Sequence, residues 1–161
     1  MVYNIYKWER VGNTHNTMLI GEYHHTLDDK KRISLPAKFR KELGKTVVIT
    51  YGLDKCLFVY PMNQWRQVAE KLAAPSIGQV NARDFNRFMF SGAVETAVDS
   101  IGRILIPDFL KAHADLKINA VVTGVYSRVE IWDEEAWTTY KQNIQGKADG
   151  LAQQLSDVGA I

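Results

Sequence analysis

The sequence predicts an α+β protein: two tandem copies of one small β-rich unit that share a core, with flanking helices. An internal repeat, period-two alternation of apolar residues and regular Pro and Gly punctuation carry that prediction. Residues 21–65 and 92–137 align on each other. Gly21 matches Gly92, Asp28 matches Asp99, Arg32-Ile33 matches Arg103-Ile104, and Leu35-Pro36 matches Ile106-Pro107, at a constant offset of 71. After one inserted residue the offset becomes 72, and Gly52, Leu57, Tyr60 and Trp65 match Gly124, Val129, Trp132 and Trp137. Repeats at such a period mark a duplicated supersecondary unit. A unit of ~50 residues buries too little surface to be comfortable alone, so a shared core with pseudo-two-fold symmetry is expected.

Each copy reads as the same string of elements. Residues 22–27 and 93–98 alternate as strands do. A short turn leads to a second strand at 32–35 and 103–106. Pro36 and Pro107 suit the first turn of a helix, where a missing N–H costs nothing. The helices they open are short, Ala37 to Leu43 closed by Gly44, and Asp108 to about Ala114. Strands at 46–51 and 56–60, and at 119–123 and 128–132, follow. A longer helix closes each copy. The second starts near Asp133, with Glu134 and Glu135 favourable in its first turn. Residues 73–78, with Pro75, read as a loop, and 79–91 as a helix entering the second copy. The domain reading is therefore a flexible N-terminal extension at 1–17, a first repeat at 18–73, a linker and helix at 74–91, and a second repeat with C-terminal helices at 92–161. The extension is set apart because it has no counterpart in the repeat, and Met18-Leu-Ile-Gly-Glu-Tyr resembles a chain start.

Composition narrows the function classes. Hydrophobic residues make up 46% of the 161 and charged residues 24%, which is ordinary for a globular protein. No apolar stretch approaches the ~20 residues of a membrane helix, and no signal peptide is evident. A cytoplasmic protein is expected. The single cysteine, Cys56, lies in an apolar run and reads as a small buried hydrophobe. Net charge is only +2, but its distribution is uneven. Residues 28–45 hold seven Lys or Arg against three acids, whereas 133–161 hold two Lys against five acids. A local basic excess is what an anion-binding surface requires.

The candidate chemistry lies in Asp-x-x-x-Arg, present as Asp28 to Arg32 and as Asp99 to Arg103. Strand alternation puts Ile33, Leu35, Ile104 and Ile106 inward, and so Arg32, Ser34 and Arg103 outward. Gly102 stands where a three-residue link needs a left-handed residue, and Lys31 holds that position in the first copy. Asp28 and Asp99 are expected to accept hydrogen bonds from turn N–H groups or to orient the Arg. Lys30, Lys31, Arg32 and Arg103 then project from neighbouring turns towards phosphates and base edges. A solvated turn with a local Asp–Arg pair is the bland alternative. Its weakness is that packing does not explain an outward Arg twice.

These residues resemble the MraZ family. The two copies of Asp-x-x-x-Arg-(apolar)-x-(apolar)-Pro carry the resemblance, with Leu35-Pro-Ala-Lys-Phe-Arg, Phe90-Ser-Gly-Ala and Gly102-Arg-Ile-Leu-Ile-Pro. It covers Met18 to about Gly159. It implies AbrB-like swapped-hairpin units forming an intertwined barrel. It also implies a nucleoid-associated transcriptional regulator of its own operon, in the division and cell-wall gene cluster. The implied partners are double-stranded DNA, read at short G-rich direct repeats, and other copies of the chain in a ring-like homo-oligomer. DNA contact transfers to Lys30, Arg32 and Arg103. In the wider AbrB-like group a basic pair on the first helix also contacts DNA, and Arg40 and Lys41 occupy that place. Lys31 departs from the family's usual Gly, and the 17-residue leader is unusual.

Competing classes fare worse. Asp28 and Asp99 could mimic an aspartic-protease dyad, but neighbouring Lys and Arg would keep both ionised. His24 and His25 are adjacent on a strand and point to opposite faces, so no metal site is expected. No catalytic residue, cofactor or membrane partner is expected. A ring-forming scaffold without DNA affinity is the remaining alternative. RNA binding lacks a visible stacking motif.

Overall fold

A computed structural model of the chain describes residues 18–161. The expected N-terminal extension, residues 1–17, lies outside the described residues. The first copy supplies β1 (Leu19–Thr26), β2 (Arg32–Ser34), α1 (Ala37–Leu43), β3 (Thr46–Tyr51), β4 (Leu57–Pro61) and α2 (Met62–Ala73). Helix α3 (Val80–Ser91) leads to β5 (Val94–Ala97), β6 (Arg103–Leu105), α4 (Asp108–His113), β7 (Asn119–Tyr126), β8 (Arg128–Asp133) and α5 (Glu134–Asp157).

Six strands form one antiparallel sheet in the order β1-β7-β8-β4-β3-β5, and β2 pairs with β6 in a separate ribbon. The order reads the same backwards once the two copies are exchanged. The registers agree with this. Ile33 faces Ile104 across the ribbon, and Phe58 faces Glu130 across β4 and β8. Each is a pair of repeat-equivalent residues, so the pseudo-two-fold axis runs through both pairs. The copies also exchange their first strands. β1 pairs with β7 of the second copy, and β5 pairs with β3 of the first. The core is thus shared by construction, and neither copy holds its first strand by itself.

The expected intertwined barrel does not close. Strands β1 and β5 are the two edges of an open sheet. The strands that would have to close it, β2 and β6, are three residues long and are soon followed by Pro36 and Pro107. Proline has no N–H for a ladder. These short strands pair with each other, and only a single bridge, Leu27 to Ile33, ties β1 to β2.

Both faces of the sheet are buried at its central strands, which explains the continuous apolar run of β4. Leu57, Val59, Val129 and Ile131 face one core, together with Ile33 and Ile104 of the ribbon, Phe39 and Leu43 of α1, and Leu110 of α4. Phe58, Tyr60, Val121 and Trp132 face the second core, against Trp65 and Val68 of α2, Met89 of α3, and Trp137 and Tyr140 of α5. Trp65 packs on Tyr60 and Trp137 on Trp132, so the equivalent tryptophans do equivalent packing work. Cys56 is fully buried in the second core, and its S–H donates to the Leu53 carbonyl at 3.1 Å. Burial pushes its thiol pKa far up, so it stays protonated and unreactive. Among the described residues no helix is long and apolar enough to cross a membrane.

Candidate nucleic-acid interface

The ribbon has one buried face and one open face. Ile33 and Ile104 seal the first against the core. The second presents Arg32 opposite Leu105 and Ser34 opposite Arg103. The alternation read from the sequence therefore holds in both copies.

The spacing of Asp and Arg in the motif has a geometric cause. In the first copy the Lys31 N–H donates to the Asp28 carbonyl and the Asp28 N–H to the Arg32 carbonyl, each at 2.9 Å. That closed turn leaves two N–H groups aimed at the Asp28 carboxylate. Its Oδ1 accepts from Lys30 N and Arg32 N, both at 2.9 Å, and its Oδ2 accepts from Arg32 Nε at 2.7 Å. The second copy repeats the pattern. Asp99 Oδ1 accepts from Ile101 N at 3.1 Å and Arg103 N at 2.8 Å, and Oδ2 from Arg103 Nε at 2.8 Å. One carboxylate thus fixes both the turn and the guanidinium. Because Nε is engaged, the forked end of Arg32 is left without an acceptor among the described residues. That is the geometry bidentate recognition needs.

The turns are joined across the axis. Leu35 N donates to Gly102 O at 2.8 Å and Ile106 N to Lys31 O at 2.9 Å. Arg103 Nη1 lies 3.5 Å from Asp28 Oδ2. Both residues expected to be left-handed are so, Gly102 at φ +83° and Lys31 at φ +60°. Gly102 is needed for a second reason: the Arg40 side chain lies where its Cβ would be. Arg40 Nε donates to the Leu35 carbonyl at 2.9 Å, which binds α1 to the ribbon.

The cations named from the sequence fall into three groups. Arg32 and Arg103 sit together on the open face, a quarter to a third exposed. Lys30 and Lys41 are exposed, and neither forms an ion pair among the described residues. Lys31 and Arg40 are tied down, Lys31 by an ion pair with Asp108 at the start of α4 and Arg40 by its carbonyl contact. The Asp108 partner, the Asp28–Arg103 contact and the fit of Arg40 over Gly102 were not visible in the sequence, because each crosses between elements. The alignment held one signal: the left-handed position is Lys in one copy and Gly in the other, so its two environments had to differ.

Each aspartate accepts its closest hydrogen bonds from its own turn and its own arginine. Hydrogen bonds hold both below the ordinary value of 3.8, chiefly from the Arg32 N–H for Asp28 and the Arg103 N–H for Asp99. A carboxylate with a depressed folded pKa stabilises the fold above its ordinary range, and that contribution is lost as pH falls through the depressed value. The amide resonances of Lys30, Arg32, Ile101 and Arg103 are therefore expected to shift on acidification with a midpoint below 3.8. NMR titration checks this, and a midpoint at or above 3.8 contradicts the turn geometry. His24 pairs with Glu134 at 2.8 Å and Glu22 at 3.3 Å. His25, on the other face, is kept below its ordinary pKa by burial and then by the charge of Arg40.

Residues 18–88 and 89–156 each match the family described as "MraZ protein, putative antitoxin-like". The protein named Transcriptional regulator MraZ from Moorella thermoacetica is 48% identical over 140 residues, which cover 87% of this chain and 98% of that protein. Its namesake from Caldanaerobacter subterraneus subsp. tengcongensis is 45% identical over 140 residues, again 87% and 98% of the two chains. That from Desulfitobacterium hafniense is 46% identical over 142 residues, 88% of this chain and 99% of its own. The duplication seen in the strands is thus the duplication of the family unit, and the chain belongs to the MraZ family.

Proposed function

We propose that this protein is a sequence-specific DNA-binding transcriptional regulator and that the β2/β6 ribbon with its two turns is its reading head. One observation carries the proposal: two symmetry-related arginines share one open face, each locked by its own aspartate. A two-stranded ribbon is of a size to enter the major groove, where Arg pairs with guanine O6 and N7. Lys30, with Lys41 on α1, supplies phosphate contacts around it. Lys31 and Arg40 act mainly by holding the ribbon, and Asp28, Asp99 and Gly102 by shaping the turns. The names of the relatives support regulation of transcription.

The resemblance supports a finer reading. The target is the promoter of the protein's own operon in the division and cell-wall gene cluster, at short G-rich direct repeats. A ring-like homo-oligomer sets several heads along one DNA face, and the protein works in the cytoplasm at the nucleoid. Head-to-tail subunits suit tandem sites, and their contacts add through avidity. A scaffold reading draws on one observation, the exposed apolar residues Leu151 and Leu155 of α5 and Val158 at its C-terminal cap.

Fluorescence anisotropy with a duplex from upstream of the coding region separates the two. The regulator prefers it over a scrambled duplex at least tenfold, about 1.4 kcal/mol. Log K also falls by about 0.9 per neutralised phosphate per tenfold rise in salt. A scaffold binds both duplexes equally weakly.

A further inference from the structure

The two halves of the open face are related by the pseudo-two-fold but differ in chemistry. At the 71-residue offset Lys30 becomes Ile101, Ser34 becomes Leu105, and Lys38 becomes Phe109. The first half is cationic and polar. The second is apolar and stays exposed, Ile101 at 57% and Leu105 at 51%. Leu105 is not peripheral. It is the direct cross-strand partner of Arg32 and is two residues from Arg103 on the same face of the same strand. An apolar side chain so placed enters any groove that the arginines enter.

We infer that Leu105, assisted by Ile101, reads the 5-methyl group of a thymine beside the guanines held by the arginines. The inference rests on the DNA-binding reading above. A phosphate or a polar base edge set against Leu105 would lose water and gain no hydrogen bond. The thymine methyl is the apolar group that standard base pairs expose in the major groove. The consequence is directional. Turning the head by its pseudo-two-fold would swap Ser34 with Leu105 and Lys30 with Ile101, so the two orientations on a duplex are unequal. A head built as a near-palindrome thereby reads a site that is not one.

The test uses the whole chain and the tightest duplex that it enriches from a random pool. A second version of that duplex carries deoxyuridine for every thymidine, which removes only the methyl groups. The Leu105→Ser variant copies what the fold already holds at Ser34, so it is expected to fold. Wild type is expected to bind the methyl-free duplex about three- to fourfold more weakly per methyl contacted. Leu105→Ser is expected to bind both duplexes alike, and Ser34→Ala to keep the wild-type difference. Equal binding of both duplexes by wild type overturns the inference and leaves the DNA-binding reading standing. So does a methyl effect that survives in Leu105→Ser. A Leu105→Ser variant whose sedimentation changes while its methyl discrimination does not would make Leu105 a contact between copies, which also overturns the inference. If no duplex is enriched at all, the DNA-binding reading fails and this inference with it.

Discussion

Ile104→Ala is expected to destabilise the protein by about 2–5 kcal/mol, the range for truncating a fully buried aliphatic side chain. Ile104 is 1% exposed and packs beside its own repeat equivalent, Ile33, on the pseudo-axis. The ribbon has only three residues in each strand, and of these only Ile33 and Ile104 are buried. A cavity there loosens both turns at once, because Leu35 N and Ile106 N tie each to the other. Urea denaturation gives the magnitude. Leu105→Ala, the next residue along on the open face, is the control and is expected to change stability by no more than about 0.5 kcal/mol. Equal losses from the two substitutions would contradict the assignment of faces.

Gly102→Ala is expected to cost roughly 2–3 kcal/mol, from two sources. The left-handed backbone at φ +83° disfavours any Cβ, by about 1–2 kcal/mol. The new Cβ would also fall 2.1 Å from Arg40 Nε. Arg40 is the flexible partner and gives way, but it then loses its bond to the Leu35 carbonyl, worth about 1 kcal/mol. A double-mutant cycle separates these. In an Arg40→Ala background the cost of Gly102→Ala should fall to the backbone part alone. An unchanged cost would mean that Arg40 does not lie over Gly102. The fold should survive the substitution, since Lys31 already adopts φ +60° at the equivalent position.

These two sites also mark where sequence reasoning was strong and where it stopped. The repeat, the turns and the inward placing of Ile33, Leu35, Ile104 and Ile106 were legible, because period-two alternation and turn chemistry are local. Partner choice was not. Alternation says which face a residue occupies and nothing of which strand lies beside it, so the pairing of β1 with β7 and of β5 with β3 had no local signature. The barrel expectation failed for a related reason: two short strands before prolines could have extended a sheet, and they paired with each other instead. At the candidate interface, Asp28 and Arg32 were readable as a unit because only three residues separate them. The sequence places Lys31 on the turn, projecting with Lys30 and the arginines, but its ion pair with Asp108 of the other copy has no local signature.

The central claim is that the paired arginines form the reading head. Its most direct test is anisotropy binding of the Arg32→Ala, Arg103→Ala double variant beside wild type, with the upstream duplex as probe and a scrambled duplex as competitor. Circular dichroism confirms that the variant is folded. The variant is expected to lose the tenfold or greater preference for the upstream duplex, about 1.4 kcal/mol. It should keep weak, salt-sensitive binding through Lys30 and Lys41. A folded double variant that discriminates as well as wild type would contradict the account.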